Sequence, residues 1–203
     1  MSINIYEIHL QTDKVSDVIK VLAYRLSKIY RENPEIVTDQ LEDIDFFQKE
    51  EPSCFAVASL YENWVTIRHN SFEKQVSLAN ELSQVFNVTA IQAMGQSTVD
   101  TYHLSVHQDG KIVRSFNCGE DTNGLECAGA PFPFEAPIDD PENYFYDYED
   151  MHAFCQNFGI ELVTDANEEK NIWTIIRIKE KSVQEKPSFL ASVKALFSGA
   201  AKQ

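Results

Sequence analysis

Apolar and polar residues alternate from Ile3 to Leu10, and this period of two predicts a β-strand. In the next segment, residues 12–31, apolar side chains recur at intervals of three and four. That spacing predicts a helix that is capped by Thr12 or Asp13 and ended by Pro34. Its apolar face comprises Val15, Val18, Ile19, Leu22, Leu26 and Ile29.

The next two segments differ in pattern. Residues 35–52 are acidic and only weakly periodic, so they are predicted to form a loop with at most one helical turn. Residues 55–68 are predicted to form a β-hairpin that turns at Glu62-Asn63 and pairs Tyr61 with Trp64, because asparagine tolerates a positive φ. One face of this hairpin is expected to carry Ala58, Leu60, Val65 and Ile67.

The clearest element is a second hairpin over residues 102–116, in which Asp109-Gly110 predicts a type I′ turn. Residues 119–141, with three glycines and four prolines, are predicted to be irregular. The other predicted elements are a helix over 71–86 capped by Ser71, a strand over 88–94, a helix over 147–158, and strands over 160–164 and 172–178.

This order of elements predicts an α+β fold: a mostly antiparallel sheet of six or more strands with helices packed mainly on one face. Residues 1–178 are expected to form a single domain, followed by a polar linker, 179–186, and an amphipathic helix, 187–203. The apolar stripe of that last helix fits docking on its own domain or on a second copy, as in a homodimer. Its members are Phe189, Leu190, Val193, Leu196 and Phe197.

Negative charge is concentrated in one segment of the chain. Residues 115–169 contain fourteen Asp or Glu and no Lys or Arg, and so contribute −14 of the net charge of −15. Such a surface costs folding stability through self-repulsion, which suggests a purpose other than folding. The charge also argues against nucleic acid or an anionic membrane as a partner, because both require clustered Lys and Arg.

Within this segment, carboxylates alternate with aromatic residues. One interpretation is a solvated loop and helix N-terminus, where acids favour the helix dipole. The other is an interface for a basic protein, in which aromatic rings supply contact area and carboxylates steer association. A calcium site fits poorly, because the acidic residues lack the spacing of a calcium-binding loop. The candidate partner-binding residues are Asp139, Asp140, Glu142, Tyr144, Tyr146, Asp147, Tyr148, Glu149 and Asp150.

Local spacing identifies no catalytic residues, no metal ligands and no cofactor-binding motif. His103 and His107 share one face of a strand, but they are about 13 Å apart, too far to bind one metal, and are predicted to be half-exposed. Neither GxSxG nor HExxH occurs. Tyr61 and Trp64 either pack beneath a helix or form a binding patch, and packing is the favoured interpretation.

The chain shows no signal peptide and no apolar run of membrane-spanning length, so a cytoplasmic location is expected. The four cysteines form no CxxC pair, so they are predicted to be reduced thiols. A bridge between Cys118 and Cys127 is the alternative under oxidation.

The hairpin Tyr102–Phe116, followed by Gly129-Ala130-Pro131-Phe132-Pro133-Phe134-Glu135, resembles a pattern in uncharacterised bacterial α+β domains. Several of those domains are considered immunity proteins of toxin systems. The resemblance covers roughly residues 55–135, and its motif is a hairpin turn with a Pro/Phe loop. It implies a binding protein and carries over no catalytic residues.

Together these observations favour a non-enzymatic acidic protein-binding domain, such as an immunity-type inhibitor of a basic toxin, for example a nuclease. One alternative is an enzyme whose site assembles only in three dimensions. Another is a structural or assembly protein that associates through its C-terminal helix. A deep pocket with convergent carboxylates and histidines would favour the enzyme, whereas a shallow acidic face would favour the binding protein.

Overall fold

The computed structural model describes residues 4–39, 50–119, 122–162 and 172–179, and these residues form an α+β fold around one antiparallel sheet of nine strands. The strand order across the sheet is β2-β9-β3-β4-β1-β5-β6-β7-β8. The strands are β1 (Asn4–Leu10), β2 (Glu35–Asp39), β3 (Cys54–Tyr61), β4 (Trp64–His69), β5 (Ala90–Gln96), β6 (Thr101–Gln108), β7 (Lys111–Cys118), β8 (Glu126–Gly129) and β9 (Trp173–Arg177).

The described helices are α1 (Val15–Tyr30), α2 (Val76–Phe86) and α3 (Tyr148–Gln156), with a single 3-10 turn at Pro141–Asn143. The apolar stripe predicted for α1 is confirmed at its centre, where Val18, Leu22 and Leu26 are fully buried. The predicted caps of the first two helices are wrong, because the N-cap lies one or two residues later than predicted in α1 and four residues later in α2. Lys14 is the N-cap of α1 and Gln75 that of α2, and neither makes a side-chain capping bond.

The sheet has one core on each face. On the first face, α1 and α2 pack over strand residues that include Ile8, Leu10, Val65 and Ile67. On the opposite face, α3 and the segment that precedes it cover strand residues such as Ile5, Ile91, Leu104 and Phe116. A smaller cluster around Trp173 joins β3 to β9.

Three predicted segments differ from the structure. Residues 35–39, predicted as loop, form the edge strand β2, because they pair with β9 from Glu35↔Arg177 to Asp39↔Trp173. Residues 126–129, predicted to be irregular, form the opposite edge strand, β8, against β7. Residues 160–162, predicted as the start of a strand, have no regular structure. The linker 180–186 and the C-terminal helix 187–203 lie outside the described residues.

Both predicted hairpins are confirmed, and their turns have the expected backbone. Asn63 has φ 63° in the first, and Asp109 and Gly110 have φ 51° and 74° in the second. The predicted face of the first hairpin is wrong, because a bulge between Ala58 and Tyr61 shifts the register by one residue. Ala58 therefore lies opposite Thr66 and not on the face of Val65 and Ile67.

Candidate functional site

An open groove lies where the β5–β6 turn meets the loop before β8 and the 3-10 turn, within the acidic part of the molecule. Its volume is about 530 Å³. Leu125 N donates to Pro141 O at 2.8 Å, which ties the loop to the 3-10 turn. Thr122 closes the loop by accepting from Gly119 N at 2.9 Å. The lining residues are Thr98, Val99, Asp100, Cys118, Gly119, Thr122, Gly124, Glu142, Asn143, Tyr144 and Phe145.

The groove combines exposed apolar surface with carboxylates. Phe145 is 58% exposed and Val99 43%, so two large apolar side chains are open to solvent in the same groove. Asp100 and Glu142 are exposed beside them, and none of the described residues that line the groove is Lys or Arg. The groove therefore presents a negative surface with an aromatic side chain at its edge.

Tyr102 packs against Phe145, and its pKa shows that this region is negatively charged. Its ring meets that of Phe145 edge-to-face at a centroid distance of 6.4 Å. Burial raises the pKa of Tyr102, and the charges of Asp100, Asp147 and Glu149 raise it further. Carboxylates from two segments, the β5–β6 turn and the start of α3, thus converge on one small area.

The structure divides the predicted partner-binding residues into two groups. Asp139, Asp140, Glu142 and Glu149 are exposed, and Glu142 lines the groove. The remaining five are engaged in packing or capping within the fold, although Tyr144 also lines the groove. They are Tyr144, Tyr146, Asp147, Tyr148 and Asp150.

Those five residues stabilise α3 through capping, hydrogen bonds and ring packing. Asp147 is the N-cap of α3 and forms a capping box with Asp150, which also accepts a 2.9 Å hydrogen bond from the Tyr144 hydroxyl. Tyr146 is buried and stacks on Phe116 at a centroid distance of 5.3 Å. The Tyr148 hydroxyl donates to Leu162 O at 2.9 Å. These contacts hold the exposed carboxylates of the segment in place.

The basic residue nearest to this segment along the chain is already paired. Arg114 is almost fully buried and donates to both oxygens of Glu135, at 2.6 Å from Nη2 and 3.0–3.1 Å from Nε. It also lies 4.3 Å from the centroid of the Phe116 ring. This bidentate geometry makes the pair strong, so Arg114 cannot offset the exposed acids.

A buried polar network that was not predicted from the sequence lies under α3. Arg68 Nε donates to Glu7 Oε1 at 2.8 Å, and Glu7 Oε2 lies 3.1 Å from His9 Nε2. His9 Nδ1 lies 3.1 Å from the hydroxyl of Thr66. Burial raises the pKa of Glu7, but Arg68 and His9 outweigh that effect and hold the pKa below its ordinary value. Alternation along β1 indicated which face Glu7 and His9 share, whereas no local signal links them to Arg68.

This network contains the residue types of a catalytic proton relay, but it is too buried for a substrate to reach. His9 and Thr66 are fully buried and Glu7 is 2% exposed. The guanidinium of Arg68 lies over the ring of Trp173, 5.2 Å from its centroid. A buried ion pair whose partners are all in place cross-links β1 and β4, and removing one partner would leave an uncompensated charge.

The prediction of half-exposed histidines in β6 is wrong, because α2 covers that face of the sheet. His103 is 6% exposed and His107 is fully buried. Ser105 Oγ lies between them, 3.2 Å from His103 Nε2 and 2.8 Å from His107 Nε2. His107 Nδ1 reaches Asn80 Oδ1 of α2 at 2.7 Å. Within residues 4–39, 50–119, 122–162 and 172–179, no three His, Cys, Asp or Glu side chains could hold one metal ion.

Packing of Trp64 is confirmed, since it is 3% exposed and its ring meets that of Phe158 edge-to-face at 6.3 Å. All four cysteines are free thiols, and Cys127 is the exposed one. Among the described helices, none is long and apolar enough to cross a membrane. Comparisons with protein-family models, curated proteins and solved structures found no match for this chain.

Proposed function

We propose that this chain is a non-enzymatic binding protein that presents its acidic groove and the adjoining acidic loop to a basic protein partner. The observation that carries the proposal is Phe145, 58% exposed beside the carboxylates of Asp100 and Glu142 in a groove without Lys or Arg among its described lining residues. An exposed aromatic side chain supplies a contact that is desolvated on binding. The surrounding carboxylates accelerate encounter with a positive surface.

The exposed loop residues Asp139 and Asp140 extend this surface beyond the groove. Each makes at most local contacts: Asp140 accepts from the side chain of Asn143 at 2.8 Å, which leaves its charge facing solvent. The proposed contact residues are therefore Asp100, Asp139, Asp140, Glu142 and Phe145, with Glu149 nearby.

The resemblance described above extends this proposal to a particular biological role. In that role the chain is a cytoplasmic, bacterial, immunity-type protein, and its partner is a basic toxin such as a nuclease. An acidic surface then mimics the phosphate backbone that a nuclease binds, which blocks the toxin without any catalytic step.

The test compares two triple variants that remove the same amount of negative charge. The first is Asp139→Asn, Asp140→Asn and Glu142→Gln in the acidic loop. The control is Asp13→Asn, Glu51→Gln and Glu62→Gln, all exposed and outside that loop. Partners are captured from cells of the source organism, purified, and mixed with each variant in stopped-flow experiments at several salt concentrations.

The loop variant should associate roughly tenfold more slowly at low salt and show a flatter salt dependence, whereas the control should change little. Phe145→Ala should mainly accelerate dissociation, because it removes contact area and leaves the charge unchanged. Equal association rates for the loop variant and the control at low salt would contradict the proposal.

A further inference from the structure

A second pocket lies on the same side of the sheet, between residues 134–138 and α3, and five of its twelve lining residues are aromatic. Its volume is about 360 Å³. Three rings at its base are buried, with Phe116 at 3%, Tyr146 at 4% and Phe154 at 7% exposure. Two further rings, those of Phe134 and Tyr144, also line it.

The pocket opens to solvent. Phe134 is 38% exposed, and the lining residues Ala136, Pro137 and Asn157 are also exposed. The rings that line it are held by one another: Phe134 meets Phe154 edge-to-face at 5.2 Å, and Phe154 meets Phe116 edge-to-face at 5.3 Å. The pocket is therefore a preformed concave site with aromatic walls.

One carboxylate in the pocket favours a hydrogen-bond donor that carries positive charge. Asp150, a lining residue, accepts from the Tyr144 hydroxyl and from Asp147 N, but no described Lys or Arg pairs with it. A carboxylate has lone pairs beyond those two bonds.

Glu135 also lines the pocket, but its charge is balanced by Arg114. The net charge of the pocket is therefore that of Asp150. Burial raises the pKa of Tyr146, and nearby groups that include Asp150 and Glu135 raise it further, so its hydroxyl stays protonated in a negative environment.

We propose that this pocket binds an organic cation, either a guanidinium or an alkylammonium group, between its aromatic rings. The negative faces of aromatic rings attract such cations, and the carboxylate of Asp150 provides acceptors for their N–H groups. The group can belong to a free small molecule or to an Arg or Lys side chain of a protein. The proposal stands without the partner proposed above, because it depends on a different pocket.

The first test uses a matched pair of probes: ethylguanidinium and its neutral analogue of similar shape, ethylurea. Each is titrated into isotopically labelled full-length protein at constant ionic strength, and NMR shifts of Phe134, Tyr144 and Phe154 report binding. Ethylguanidinium should bind at least about tenfold more tightly than ethylurea. Equal shifts from the two probes, or none from either, would overturn the proposal.

Variants then test the individual groups. Phe134→Leu, which keeps apolar volume but removes a ring, should weaken ethylguanidinium binding about threefold to tenfold, and Phe134→Tyr should retain it. Asp150→Asn removes the negative charge but keeps an oxygen that can accept the bonds from Tyr144 and Asp147, so it should weaken binding several-fold. Tyr24→Leu on α1, where the Tyr24 ring is 63% exposed on the other side of the sheet, is the control and should have no effect. Unchanged affinity in both Phe134→Leu and Asp150→Asn would contradict the assignment.

A further arm distinguishes the two sources of the cation. A Gly/Ser peptide with one Arg and two flanking Lys is compared with ethylguanidinium on the same protein. Tighter binding of the peptide, lost in the Asp139→Asn/Asp140→Asn variant, assigns the site to a side chain of a basic protein. Equal affinity of the two probes assigns it to a free small cation. Failure of the peptide to displace ethylguanidinium from these residues would overturn the side-chain assignment.

Discussion

Buried ionisable side chains are concentrated in the sheet of this protein. Glu7, Arg68 and His9 form their network under α3, while His69, His103 and His107 lie on the opposite face. Burial lowers the pKa of His69, His103 and His107 to about 4 each. Nearby Lys74 lowers that of His103 further, and His103 acts in the same direction on His107. These histidines are therefore neutral in the folded protein at pH 7.

The three histidines should make stability depend on pH. The unfolded chain binds protons at these residues below about pH 6.5, whereas the folded chain does so only near pH 4. The contribution is thus fully present above pH 6.5 and is lost as pH falls toward 4. Urea unfolding between pH 7.5 and 5 should show the loss, and His103→Gln should reduce the proton uptake on unfolding by about one. A flat profile over that range would contradict these pKa shifts.

At the scale of elements, the short edge strand β8 connects the acidic segment to the rest of the sheet. All four of its residues are exposed, so apolar burial contributes little to its position. It is held by its pairing with β7 and by Arg114 Nη1, which donates to Ala128 O at 3.3 Å and to Gly129 O at 3.1 Å. The same guanidinium binds Glu135, so one residue connects β8 to the wall of the aromatic pocket.

Gly129 and Gly159 provide a matched test of this attachment. Both have positive φ, 85° and 74°, but a Cβ on Gly129 would lie 2.0 Å from Val113 O, while one on Gly159 meets nothing within 4 Å. Gly159→Ala should cost only the backbone strain, about 1–2 kcal/mol. Gly129→Ala should cost clearly more or release β8, because Val113 belongs to the backbone of the adjacent strand. Urea unfolding and amide exchange along β7 would measure both, and equal costs would refute this view of β8.

At the scale of the whole molecule, charge is distributed unevenly over a well-packed fold. The two large cores lie on opposite faces of the sheet, and the basic-free segment 115–169 contributes β8 and α3 to one side. Because its exposed acids have few basic partners, they repel one another across that side. This repulsion reduces the stability of the folded state.

Salt should therefore stabilise the protein by screening these charges. Raising NaCl from 10 to 150 mM shortens the screening length from about 30 to about 8 Å, and the melting temperature should rise by roughly 1–4 °C. The Asp139→Asn/Asp140→Asn/Glu142→Gln variant should gain less from salt than the Asp13→Asn/Glu51→Gln/Glu62→Gln control. The two melting temperatures are measured by calorimetry. Identical salt dependence in the two variants would show that repulsion among the acids of this loop destabilises the fold no more than exposed acids elsewhere do.

Most of the elements could be predicted because their signals are local. The alternation of β1, the apolar stripe of α1 and the turn residues Asn63 and Asp109-Gly110 act over a few neighbouring positions. The acidic segment was also visible in the sequence, as were Asp139, Asp140 and Glu142 as exposed candidates. Phe145, although it belongs to that segment, could not be distinguished from its buried neighbour Tyr146, because both have the same aromatic character.

The sequence by itself determined the class of fold, both hairpin turns and the place of the negative charge, since backbone preference and composition are properties of short segments. The tertiary structure alone decided that residues 35–39 form a strand, because their partner, β9, is far along the chain. It alone joined Glu7 to Arg68, and it alone gathered Phe116, Phe134 and Phe154 around one pocket. Those outcomes depend on which distant segments pack together, and no local sequence pattern predicts the free energy of such packing.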